Sequence, residues 1–137
     1  MEITIPVTKT VILDEEDISD ILCTALEGGI GYWACLCNDE PSWQEGIKKV
    51  EQAGKTPYYD RIMWEVLKSG GSVRFQDAED LEEGEIWDYN MDTFYKSVQL
   101  YEQKRGSLKK ALKDGSFDVI EADIFIQYGL FGEIVFG

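Results

Sequence analysis

EGGIGYW, residues 27–33, sets three glycines and one acid against two large aromatic side chains, Tyr32 and Trp33. Glycine at that density serves a tight turn into the core, or a ligand lying against open backbone. Upstream, Ile18, Ile21, Leu22, Ala25 and Leu26 recur at i, i+3, i+4, i+7 and i+8, which predicts a helix with one apolar face. Asp14 is its N-cap, and Glu15, Glu16 and Asp17 fall in the first turn, where the helix dipole favours negative charge. Gly28 is placed to end this helix. Downstream, Ile30 to Cys37 is almost wholly apolar. That run reads as a buried strand or as a second helical segment, and periodicity does not separate the two.

Further out, residues 3–12 (ITIPVTKTVI) are rich in Ile, Val and Thr and predict an opening strand, at a sheet edge because of Pro6. Residues 38–46 (NDEPSWQEG) read as loop, and 47–53 (IKKVEQA) as a short helix. Thr56 and Pro57 predict the start of another helix, with Tyr59, Ile62, Met63, Val66 and Leu67 on its apolar face and Gly70-Gly71 at its end. Val73 and Phe75 point inward from a strand over 72–76, and Ile86, Trp87 and Tyr89 predict a second short strand inside the acidic run 77–92. A helix follows from about Asp92 to Arg105, broken by Gly106, with a further turn or two over 107–113. Asp118 and Glu121 match a capping box ahead of Ile120, Ile124, Tyr128 and Phe131. The closing GEIVFG (132–137) is short and apolar, the kind of terminus that packs into a sheet or an interface. The sum is a single α+β domain over residues 1–137, a small antiparallel sheet packed with three to four helices. One-faced helices need a cover, from a sheet or a second subunit, so a homo-oligomer is expected.

Composition narrows the chemistry. The chain is 137 residues long and 44% apolar, enough for one domain with a real core. No stretch approaches the ~20 apolar residues of a membrane span. MEITIPVTKT lacks the basic-then-apolar character of a signal peptide, so the expected place is a cytoplasm. There is no histidine, which removes Ser-His and Cys-His nucleophiles and the commonest general base. Cys23, Cys35 and Cys37 form no CxxC pair and read as small buried thiols. No catalytic residue, metal site or cofactor is expected.

The net charge of −14 repels long nucleic acid and anionic lipid and attracts basic partners. Basic residues are nonetheless concentrated: six of the thirteen lie between Lys96 and Lys113, opposed there only by Glu102. Such an island answers acids of its own fold or of a twin subunit, or it binds a small anion. A nucleotide needs a stacking ring, a cation near phosphate and open backbone donors. Gly28, Gly29, Tyr32, Trp33 and Trp87, with Arg105, Lys109 and Lys113, are the candidate ligand-binding set. EGGIGYW matches neither GxGxxG nor a P-loop.

ILCTALEGGIGYW (21–33) and IFIQYGLFGEIVFG (124–137), about a fifth of the chain, resemble a family of small acidic proteins from phages, prophages and mobile elements of gut bacteria. RFQDAED (74–80) and KSVQLY (96–101) resemble it too. The resemblance implies an accessory phage protein in the host cytoplasm, and many such proteins counter host defence. It carries over no catalytic residue. Two expectations follow. One is non-catalytic sequestration of a small anionic, nucleotide-derived immune signal. The other is an acidic inhibitor, a nucleic-acid mimic, of a CRISPR effector or another basic defence protein.

Overall fold

The computed structural model describes residues 1–137. Its elements run α1 (Glu15–Thr24), β1 (Ala34–Leu36), α2 (Pro41–Gln52), α3 (Tyr59–Lys68), β2 (Val73–Asp77), β3 (Ile86–Tyr89), α4 (Met91–Lys104), α5 (Leu108–Asp114) and α6 (Val119–Phe131). The class is the expected α+β, with six α-helices in place of three or four. α6 stands at the centre. Every residue from Ala122 to Gly129 is buried, Asp123 and Gln127 included. Its sequence is apolar nearly all round, which in a globular protein marks a helix enclosed on every side.

α4 packs along one flank of α6 through Phe94 and Tyr101 against Phe125, with ring centroids 5.6 and 6.3 Å apart. Gly129 lets the two backbones close up: a Cβ there would lie 2.7 Å from the Thr93 carbonyl oxygen. The sheet is antiparallel in the order β1-β2-β3, with Phe75 opposite Leu36 on one side and Trp87 on the other. Val73, Phe75 and Tyr89 are buried, the inward face of a period-two pattern.

Several expectations change. Residues 1–14 form no strand. β-branched residues favour an extended chain, but a strand needs a neighbouring ladder, and the sheet consists of β1 to β3 alone. α1 has its expected N-cap at Asp14, which Asp17 completes as a capping box. Gly28 does not end it in a left-handed cap; the helix widens into a π-turn over Ala25–Gly29, and neither Gly28 nor Gly29 has positive φ. Within the ambiguous run 30–37, only Ala34–Leu36 is strand. The stretch 38–46 is not loop throughout: α2 begins at Pro41, with proline at a first-turn position where its missing N–H costs nothing. Trp43 is therefore core, edge-on to Tyr59 at 5.4 Å. α3 starts at Tyr59, two residues beyond Pro57. Asp118 caps α6 by accepting from the Glu121 N–H, but the Glu121 carboxylate turns to Arg105 instead of completing the box.

Candidate functional site

The glycine–aromatic stretch meets α6 and the chain's end. The π-turn brings Gly29 so close to α6 that a Cβ would lie 3.1 Å from the Val119 carbonyl oxygen and 3.3 Å from the Asp123 amide nitrogen. Asp123 then accepts three side-chain hydrogen bonds: from Tyr32 Oη at 2.5 Å, Trp33 Nε1 at 2.7 Å and Gln127 Nε2 at 2.8 Å. Gln127 also acts as a surrogate strand. Its Oε1 accepts from the Val135 and Phe136 amides at 2.8 and 2.9 Å, and its Nε2 donates to the Phe136 carbonyl at 3.1 Å. Phe136 stacks on Trp33 at 4.9 Å and 8°, with Trp87 and Phe131 at 5.5 and 5.7 Å from the same indole. The terminus is thus held to its own chain by one side-chain amide and by the Phe136 ring, while Ile134 and Val135 stay exposed.

This junction is a clamp, not an open platform. Trp33 is 2% exposed and its faces are covered, so no base stacks on it. Tyr32 is 54% exposed, but its hydroxyl turns in to Asp123; burial and that hydrogen bond push it up to about 12. Trp87 is half-buried, its indole N–H donating to Glu85 Oε2 at 3.1 Å.

Half of the basic island is engaged inside the fold, through Lys104, Arg105 and Lys109, while Lys96, Lys110 and Lys113 are exposed and make no ion pair. Arg105 grips Glu121 with two donors at 2.8 to 3.1 Å. Those contacts raise the guanidinium's already high pKa. Lys109 pairs with Asp17 and Asp14 at the start of α1. Lys104 donates to the Gly132 carbonyl and lies over the Tyr128 ring. The eight candidate residues therefore do not form one site. Gly28, Gly29, Tyr32, Trp33 and Trp87 gather around the Asp123 side of α6. Arg105 sits on Glu121, which is about 200° round the helix from Asp123. Lys109 sits at Asp17, about 16 Å along the α1 axis from Gly28.

The acids behave differently. The turn joining β2 to β3 is ordered by its own groups: Asp77 Oδ1 accepts from the Glu79 amide, and Asp80 Oδ1 from those of Glu82 and Glu83. Backbone bonds from Asp77 to Glu85 and from Ala78 to the Trp33 carbonyl fix it to the sheet. Glu79, Asp80, Glu82, Glu83 and Glu85 are all exposed, and no Lys or Arg pairs with any carboxylate from Asp77 to Glu85. Leu81, 57% exposed, stands among them at the tip.

Two features escaped the sequence reading. Asp123 and Gln127 stand at i and i+4 in an otherwise apolar helix, a spacing that marks a shared polar cluster. A groove of about 630 Å³ lies between α4, α3 and the arm that precedes α1, lined by Val11, Leu13, Trp64, Phe94, Tyr95 and Val98 among others. It joins elements far apart in sequence, so no local pattern announces it. No protein-family model, curated protein or solved structure matches the chain.

Proposed function

We propose that this protein is a non-catalytic accessory protein of the phage or mobile-element kind that binds a basic, nucleic-acid-binding surface of a host defence protein through the acidic β2–β3 hairpin. The observation that carries this reading is the asymmetry of charge pairing. Arg105 and Lys109 are paired within the fold, whereas the carboxylates of the turn from Asp77 to Glu85 pair with no Lys or Arg and all but Asp77 are exposed. A preordered row of negative charge speeds encounter with a basic face and costs little ordering on binding. Leu81 adds an apolar anchor at the centre of that row. Sequestration of a nucleotide-derived signal draws less support, because Arg105 and Lys109 stand apart from the glycine–aromatic candidates and Trp33 is covered.

The test is a binding titration against purified CRISPR effectors and restriction enzymes at low and raised salt. The variant Asp77→Asn, Glu79→Gln, Asp80→Asn, Glu82→Gln, Glu83→Gln keeps the oxygen acceptors that order the turn. It should lose the association and its salt dependence together. Equal binding by the variant would reject the hairpin as the contact.

A further inference from the structure

The acidic turn, residues 78–85, is fastened to the body of the protein at its two roots. Its own hydrogen bonds stay within the hairpin, with one exception. Asp77 and Asp80 carboxylates take the Glu79, Glu82 and Glu83 amides, the Gly84 amide donates to the Asp80 carbonyl, and the Asp77 amide donates to the Glu85 carbonyl. The exception is the Ala78 amide, which donates to the Trp33 carbonyl at 3.0 Å. At the other root Trp87 follows the turn on β3, and its indole N–H reaches back to Glu85 Oε2 at 3.1 Å. Trp33 and Trp87 thus hold the entry and the exit of the turn. Their rings meet edge to face, 5.5 Å apart at 66°.

One side chain from outside the sheet touches both. The Phe136 ring stacks on Trp33 at 4.9 Å and 8°, and meets Trp87 edge-on at 6.0 Å and 68°. Phe131 of α6 lies 5.8 Å from the same ring. The segment that carries Phe136, residues 132–137, belongs to no helix or strand. Gln127 holds its backbone at Val135 and Phe136, and Ile134 and Val135 are exposed, so Phe136 is its apolar anchor.

We infer that Phe136 is the positioning residue of the acidic turn: its ring fixes Trp33 and Trp87, and through them the direction in which the carboxylates are presented. Without that ring, Trp33 loses the cover of one face and Trp87 loses one of its three aromatic neighbours. The Asp77 and Asp80 bonds and the pairing of β2 with β3 remain. The turn then keeps its internal shape and loses its fixed attitude to the body. A surface that wavers in this way pays more ordering on binding. The consequence for a basic partner rests on the proposed role of the turn; the positioning itself does not.

The experiment is amide hydrogen exchange of the full chain, followed by NMR without any partner, for the wild type, Phe136→Ala, Phe136→Leu and Ile134→Ala. Phe136→Ala should speed exchange at Ala78 by about tenfold to a hundredfold, more than at Ile126 in the buried helix α6, and change Gly84 little. Phe136→Leu, which keeps apolar cover without the stacked ring, should fall between. Ile134→Ala, an exposed position of the same segment, should match the wild type. An unchanged rate at Ala78 in Phe136→Ala would overturn the inference. So would an acceleration at Ala78 no larger than at Ile126, the mark of a general loss of stability. In the titration against basic effectors, Phe136→Ala retains every carboxylate and should bind about threefold to tenfold more weakly. Faster exchange at Ala78 with unchanged effector binding would uphold the positioning and reject the acidic turn as the contact, so the two readings fail separately.

Discussion

Asp123 joins two segments ninety residues apart, taking hydrogen bonds from Tyr32, Trp33 and Gln127. Asp123→Ala leaves the buried Trp33 N–H without an acceptor and frees Gln127 from one of its bonds. A loss of about 2–4 kcal/mol is expected, read by urea unfolding, with a smaller loss for Asp123→Asn. Tyr32 also makes the clamp sensitive to alkali. Its folded pKa is raised from 10.0 to about 12, so its contribution is present below pH 10 and fades as pH rises through about 12. Tyr101, buried near Glu121, is likewise pushed up to about 12. Stability should therefore fall between pH 10 and 12, and Tyr32→Phe should make that fall shallower. In the sequence these residues were only half legible. The aromatics stood out, but a ring against glycine looks the same whether it greets a ligand or a helix. The deciding partner, Asp123, lies in a distant block.

At the scale of elements, the amphipathic helices were legible because their apolar periodicity is local. α1 kept its Asp14 N-cap, α4 began one residue before the expected Asp92, and α6 began directly after its expected cap, Asp118. What failed was the strand over residues 3–12, since a strand exists only by its neighbours, and the loop over 38–46, where Trp43 and Gly46 are buried in α2. Glycine had two meanings that the sequence does not separate. Gly129 is the thin point of the α4–α6 contact, and Gly129→Ala should cost about 1–3 kcal/mol by overpacking. Gly31 has open space at its Cβ and no positive φ, so Gly31→Ala should leave stability nearly unchanged. Thermal unfolding of the pair distinguishes close packing from turn geometry as the use of EGGIGYW and its partner helix.

At the scale of the whole molecule, the charge was plain from composition, and its arrangement was not. Which carboxylates are free depends on ion pairs such as Arg105–Glu121 and Lys109–Asp17, between elements far apart in the chain. The turn between β2 and β3 is an ordered acidic edge, its carboxylates from Asp77 to Glu85 paired with no Lys or Arg, on a body of charge −14. No helix is long and apolar enough to cross a membrane. The five hairpin substitutions remove charges that no Lys or Arg pairs and keep the Asp77 and Asp80 oxygen acceptors, so the variant's unfolding midpoint should match the wild type's or rise slightly as self-repulsion drops. The most direct test is competition with DNA: the protein is titrated into purified DNA-binding defence effectors already loaded with duplex, and released duplex is measured. The wild type should displace DNA from at least one effector, less so as salt rises, while the neutralised hairpin variant, folded as before, displaces none. Displacement undiminished in that variant, or absent across the panel, would contradict the acidic hairpin as the working surface.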